Sequence, residues 1–559
     1  MKKNIILSLA LVLCCTALPA QGLSEALLFG GNDYTGSARS LGMGNAVTAV
    51  GCDLGSVGIN PAGAAVAGYS QFTISPAMSI FSSLTSFALS SESEFQNPYR
   101  TSGSRFLLPN MGIAIRYENY GSSLKSITYS IVSNTTNNYF STYYGEGING
   151  TSSKFAEMAN AVNGISSDIL GSPSFYDSSE NSHLWDAAMG YKVGLINSYG
   201  SGKKYVGCTE VLTDTGDHYV PGDLSQRSSR TVVGSKNDLV MNMAMNFNDK
   251  FYLGFNFAMP FMSYSTVESF SEVAQVPEEF PVQFTYSNGH VENTYFSNAT
   301  YQYNYNASMA GIYGKLGFIW LPSYNLRLGF AYQTPSLYEI EENWCHSGLV
   351  RYDNGTTYSG NGEKGTYTYS MVSPQEFDFG IAYTFGQFGM LSVDYSLTDY
   401  GVVSYSDIYS DGYYDFTNTA LNAFLGLQHN LRAGVELNVT PSFMLRGGFT
   451  LLTSPEKYYV NPDGSTVTYY DYDDDYYLGR EQLPIDSRYN YSFKDMTRSW
   501  SVGFGYNPAR SFFADFALSC KYLPSSIYQP YYDYADLKAP QFSSSSKLVQ
   551  AVLTLGWRF

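Results

Sequence analysis

Residues 250–261 read KFYLGFNFAMPF, and their spacing constrains the fold more than any other feature of the chain. Phe251, Leu253, Phe255, Phe257 and Met259 fall on one face of an extended strand, with Tyr252, Gly254, Asn256 and Ala258 on the other. Strict alternation over such a length means a strand with a different environment on each side. The pattern returns at 326–333, 431–438 and 549–559. In those segments the second face carries Arg327, Arg432, Glu436 and Arg558 among small residues. A soluble sandwich buries the apolar face against a second sheet. A membrane barrel turns that face to lipid and keeps the polar face in a wet lumen. Strands of about ten residues with charges on the small face favour the barrel.

The ends of the chain agree with an exported membrane protein. Residues 1–20 combine Lys2 and Lys3, an apolar run from Ile5 to Leu13 and small residues up to Ala20, which is a secretory signal too short to span a bilayer. A lipoprotein signal fits poorly, because Leu13 precedes Cys14. The chain closes on LGWRF; Trp557 and Phe559 end an alternating strand, which resembles the assembly signal of bacterial outer-membrane barrels. That resemblance implies outer-membrane lipid and the barrel assembly machinery as partners. Charged residues make up only 14% of the chain, against about a quarter in a soluble domain. The net charge of −17 argues against nucleic acid. Cys52, Cys208, Cys345 and Cys520 are scattered, so neither a zinc site nor a disulfide framework is expected; a Cys208–Cys345 bridge and four free thiols are both open.

Short turns at Asn119–Ser123, Asn248–Asp249, Pro322–Asn325, around Gly386, at Thr440–Ser442 and at Asn507–Arg510 define six hairpins. A strand entering near Gln71 and one ending at Phe559 bring the count to fourteen. The expected fold is an all-β transmembrane antiparallel barrel over 71–559, with short turns at one end and long loops outside. Trp185–Ile196 also looks strand-like, but adding it alone breaks the up-and-down parity, so it belongs to a long outer loop.

A barrel of this width holds a water-filled hole unless something fills it. Residues 21–70 supply a small-sided, glycine-broken segment suited to a plug. Here ARSLGMGNAVTAVGCDLGSVGINPAG resembles the N-terminal hatch of the FadL/TodX family of outer-membrane transporters for long-chain fatty acids and other hydrophobic compounds. Asn60, Pro61 and Ala62 match the family's most recognisable motif; 106–115, 246–261 and 326–340 resemble further family segments. The resemblance implies a passive monomeric transporter. Outer loops capture a hydrophobic ligand, and a hatch movement releases it sideways near a kinked third strand. It singles out Arg39, Gly42, Gly44, Asn45, Asp53, Asn60, Pro61 and Ala62 as hatch or gating residues. The polar string Ser133, Asn134, Thr135, Thr136, Asn137 and Asn138 in the third strand becomes the candidate lateral opening, although it contains no Gly or Pro to make a kink. Arg39 and Asp53 need partners on the inner wall, one another, or lumen water.

Other candidates are weaker. Asp471, Asp473, Asp474 and Asp475 could hold calcium, yet they lack the spacing of a dedicated loop and also read as a solvated outer loop. Phe155–Leu170 has helical spacing, either lining the ligand entrance or packing against other loops. Five histidines without an acyl-transfer motif give no support for an enzyme. No metal or cofactor is expected. The competing function is a surface-interaction barrel displaying Tyr-rich loops without transport.

Overall fold

The structure, a computed structural model, describes residues 22–559 apart from 92, 120–122, 178, 214–215, 286–289, 409, 411, 461–465, 468–486, 490–492, 494 and 510. The signal segment 1–20 and the aspartates at 471–475 lie outside the described residues.

The described wall strands run up and down in chain order. They are β1 (Gln71–Ala88), β2 (Tyr99–Glu118), β3 (Leu124–Asn138, continued by Ser141–Asn149), β4 (Leu224–Phe247), β5 (Phe251–Ala274) and β6 (Val291–Trp320). Next come β7 (Leu326–Gln333 and Leu337–Tyr352), β8 (Thr357–Val372 and Gln375–Thr384), β9 (Gly389–Asp399 and Ser404–Asp407) and β10 (Leu427–Thr440). The last four are β11 (Phe443–Leu452), β12 (Thr497–Ala509), β13 (Phe512–Tyr528) and β14 (Gln541–Arg558). Each pairs antiparallel with its chain neighbours, and β14 pairs with β1 from Gln71↔Arg558 to Ala88↔Gln541. The result is a closed barrel of fourteen strands, as the turn count expects. At the β4–β5 hairpin Asn248 and Asp249 take φ of 54° and 55°, the left-handed pair that a tight hairpin with right-handed strand twist requires.

Alternation sorts the two faces. Phe251, Phe255, Phe257 and Phe261 of β5 are exposed outward, with Leu391 and Val393 of β9 and Trp500 and Val502 of β12. Asn242, Asn256, Lys315, Asp378, Asp394, Arg432, Glu436, Arg446 and Asp515 are buried inward. An apolar belt around a polar interior fits lipid, not water. Trp557 packs its ring 6.1 Å from Phe72 across the β14–β1 closure and 5.6 Å from Phe512 of β13, and the Phe559 N–H donates to the Ser70 carbonyl at 3.0 Å.

The first described residues do not join the wall. Helix α1 (Leu23–Gly30), helix α2 (Ala38–Gly42), a 3-10 turn at Leu54–Gly58 and helix α3 (Gly63–Val66) lie against its inner face, and most side chains from Tyr34 to Ala65 are buried.

Outside, the connection from β3 to β4 builds its own core. Helix α4 (Lys154–Ala161), helix α5 (Ser167–Leu170) and helix α6 (Trp185–Val193) bury Phe155, Met158, Val162, Leu170 and Met189 with Phe280, Phe296 and Val350 of neighbouring segments. The strand-like 185–196 is thus helical as far as Val193 and stops at Gly194, whose φ of +79° forms a left-handed cap. All four described cysteines are free.

Burial pushes the Glu157 carboxyl on α4 up to about 7, helped by Asp186 and opposed by Lys154 4.0 Å away. The folded cap therefore holds a proton that the unfolded loop releases near pH 4.5. Its stability is highest below that pH and falls as pH rises towards 7. Limited proteolysis should cut 150–223 several-fold faster at pH 8 than at pH 5, and Glu157→Gln should reduce the difference, the rest coming from Glu272, which burial also pushes up to about 7 against Ser153 and Lys154. Equal rates for the wild type at both pH values would contradict this.

Candidate functional site: the lumenal segment and the break beside the third strand

The lumenal segment is held by wall strands far away in sequence. The guanidinium of Arg39 forks onto Glu436, Nε to Oε2 at 3.0 Å and Nη2 to Oε1 at 3.1 Å, while Nη1 donates to the Gly51 carbonyl. Glu436 also takes Arg446 Nε at 2.7 Å, and Arg446 continues to Asp515. Such charges survive in an interior because each has a partner. Asp53 instead accepts from the Ser37 hydroxyl at 2.5 Å, so it braces the segment internally and does not pair with Arg39. A second set joins Lys315 and Arg432 to Asp378, and the neighbouring Asp394 accepts from the Thr48 amide at 2.7 Å.

Backbone approach does the rest. Gly44 sits at φ +62°, and a Cβ there would lie 2.8 Å from the Phe449 nitrogen. A Cβ on wall Gly317 would stand 2.1 Å from the Asn60 side-chain oxygen, and one on Gly254 2.3 Å from the Pro61 backbone. The wall is bare where the segment touches it. The Asn60-Pro61-Ala62 turn docks into that groove. Asn60 donates to Thr48 and Phe318 carbonyls and accepts from the Ala62 amide, and Asn242 donates to the Pro61 carbonyl. The turn thus hangs from β4–β6, on strands remote from the β1 that it precedes. Gly42 and Gly44 present carbonyls to Ser501 and Thr450, and Asn45 holds the Tyr34 carbonyl at 2.7 Å.

The string at 133–138 ends the ordinary part of β3. Ser133 and Asn134 still pair with β2, at Met111 and Asn110. Beyond Asn134 the β2–β3 ladder stops, while β2 from Leu107 to Tyr99 pairs with β1 alone. Two prolines that sequence reasoning passed over explain the stop. Pro109 directly precedes Asn110, where the β2–β3 ladder ends, and the β1–β2 register shifts between Ser75 and Ala77, at Pro76. Neither proline donates to a ladder. Past Asn138, β3 turns inward: Ser83 of β1 donates to the Thr142 carbonyl, and Tyr143 meets Phe81 edge-on at 5.3 Å. The kink is thus set from the neighbouring strands, not by a Gly or Pro in β3. Arg105 of β2 reaches past the break to the Gly234 carbonyl of β4 at 2.8 Å.

The edge that β2 abandons is covered by the lumenal segment. Asp33 N–H donates to the Thr136 carbonyl at 2.6 Å and Thr35 N–H to the Thr135 carbonyl at 3.2 Å. Asn137 donates to the Gly31 carbonyl and Tyr139 to the Leu28 carbonyl. Thr135 and Thr136 turn their hydroxyls to Asn237 and Asp238 of β4, and Asn138 donates to Ser79 of β1. Lys236, fully buried, caps the end of α1 through the carbonyls of Phe29 (3.1 Å) and Gly31 (2.5 Å). Just above, Leu23, Ala26 and Phe29 of α1 fill an apolar chamber with Met262, Tyr264, Met309, Tyr338, Ile340 and Tyr369. Strand alternation marks Lys236, Asn242 and Asp394 as inward polar residues, which is the signal that could have found them.

No protein-family model and no curated protein matches the chain. Among solved structures, a FadL homologue of Pseudomonas aeruginosa is similar over 95% of this chain and 100% of its own, at 10% identity and a TM-score of 0.49. The Pseudomonas putida toluene transporter TodX is similar over 94% and 99%, at 11% identity and 0.47. The Ralstonia pickettii toluene transporter TbuX is similar over 94% and 98%, at 13% and 0.40.

Glu436→Gln should loosen the lumenal segment, because Arg39 and Arg446 then share no carboxylate; removing one partner of a buried pair costs about 3–5 kcal/mol. Thermal unfolding in micelles should shift down, and single-channel conductance in planar bilayers should rise. Unchanged melting and conductance would show that this pair holds nothing in place.

Proposed function

We propose that the protein is a passive channel of the bacterial outer membrane for hydrophobic solutes such as long-chain fatty acids. The solute enters from the outer loops into the apolar chamber around α1. It leaves sideways between β2 and β3 when residues 31–37 move off the third strand. One observation carries the reading: the free edge of β3 is covered by two amides of the lumenal segment, Asp33 and Thr35. A hydrophobic solute gains by leaving into lipid without meeting water. The tether at Arg39–Glu436 and the docked turn at Asn60 lie beyond the moving part, so the segment can shift at its first third and stay anchored at its rest. Arg105 at the break would have to swing aside, and its long side chain has the freedom to do so.

A lock tests the gate. Thr35→Cys with Thr135→Cys puts thiols on two residues whose backbones already bond, and because their side chains leave towards Gln550 and Asn237 they are joined by a bis-methanethiosulfonate linker, not by a direct disulfide. Expressed in a host without its own transporter, the crosslinked double variant should take up oleate at least about tenfold more slowly than the wild type, with dithiothreitol restoring the rate. Uptake that ignores crosslinking, once the bridge is verified, would rule out movement at this edge. Wild-type uptake equal to an empty vector would favour the surface-interaction reading.

A further inference from the structure

A cavity of about 350 Å³ lies in the lumen beside the inturned stretch of β3, bordered by Tyr143, and next to the chamber of α1, whose Tyr264 accepts from Arg230 at 3.4 Å. Strand register builds one wall in two rows. Tyr143, Arg230 and Glu268 stand side by side across β3, β4 and β5. Ser228, Phe270 and Tyr301 form the next row across β4, β5 and β6. Ser526 and Tyr528 of β13 and Ser544 of β14 close the opposite side. Arg230 and Glu268 form an ion pair at 3.1 Å, yet their side chains stay 48% and 44% exposed, and the space they border is this cavity.

That lining is unlike the chamber around α1. A plain alkyl chain or an unsubstituted arene filling the cavity would strip water from the ion pair and the serine hydroxyls and return no hydrogen bond. Rings are provided for as well: Tyr528 lies stacked on Phe542, and its hydroxyl donates to Ser228 at 3.2 Å. Phe270 and Tyr143 offer further aromatic surface.

We infer that this cavity is a binding site for ring-bearing amphiphiles that carry several hydroxyl or carbonyl oxygens, with the ring against Tyr528, Phe270 and Tyr143 and the oxygens on Arg230, Glu268 and Ser526. Arg230 donates to the ligand's oxygens and Glu268 accepts from its hydroxyls, so a compound offering both is preferred over one offering neither. The inference concerns binding at a polar site that the transport reading does not use, and it stands without transport.

Phenyl β-D-glucoside and cyclohexylbenzene share a pair of six-membered rings and differ in their oxygens, so they serve as probes. The full chain in lauryldimethylamine oxide micelles should bind phenyl β-D-glucoside saturably by isothermal titration, and saturating cyclohexylbenzene should not displace it. Glu268→Leu, which removes the acceptor for the ligand's hydroxyls, should weaken binding at least about tenfold. Ser526→Trp, which fills the space and leaves the ion pair intact, should weaken it as much; retained heat-modifiability shows that each variant is folded. Absence of saturable binding, displacement by cyclohexylbenzene, or folded variants that bind like the wild type would each overturn the inference. Oleate uptake, followed in parallel, reads the transport proposal separately: its absence with glucoside binding intact removes transport and leaves the site.

Discussion

A strand that leaves its neighbour inside a membrane must find other partners for its backbone. Unpaired amides and carbonyls cannot face hydrocarbon, which is why spanning sheets close on themselves. Here β3 parts from β2 after Asn134, and the edge is satisfied by chain from inside the barrel: Asp33 and Thr35 bond the carbonyls of Thr136 and Thr135. The wall and the lumenal segment therefore depend on each other at this point. Remove the segment and the edge is open. Straighten the strand and Asp33 and Thr35 lose their acceptors.

The remainder of the segment is fixed differently. Its later part is tied by charges and by close backbone contact on strands β4 to β12 and on β14, including Arg39 to Glu436, Thr48 to Asp394, Ala38 to Thr554 and the Asn60 turn in its glycine groove. Its first part rests on carbonyl contacts to Lys236, Asn137 and Tyr139, on the ion pair of Asp33 with Lys521 of β13, and on the packing of Phe29 among tyrosines. The apolar packing of Phe29 can be exchanged for a solute's own apolar surface; the forked ion pair of Arg39 cannot. A division between a tethered part and an exchangeable part follows from these chemistries.

Much of the architecture was legible in residue order. Period-two alternation in 250–261 and its repeats exposed the strands, and the short turns between them yielded fourteen. The small residues of 39–63 pointed to a segment that packs closely on a wall. The rest hides in non-local pairing. Arg39 and Glu436 lie 397 residues apart, and nothing beside either names the other. The bend in β3 is governed by Pro109 and Pro76 on other strands, so a search within 133–138 for a kinking residue found none. Trp185–Ile196 has a brief strand-like alternation, but strand parity kept it in the outer loop, where it forms a helix to Val193 that Gly194 caps.

Hydrogen exchange read at peptide resolution, with and without saturating oleate in micelles, tests the central claim most directly. The account predicts that the amides of 31–37 and the third-strand residues 133–139 lose protection when oleate binds, while 38–62 stays protected. Protection unchanged at 31–37, or lost evenly from 31 to 62, would contradict a gate formed by the first part of the segment on the edge of β3.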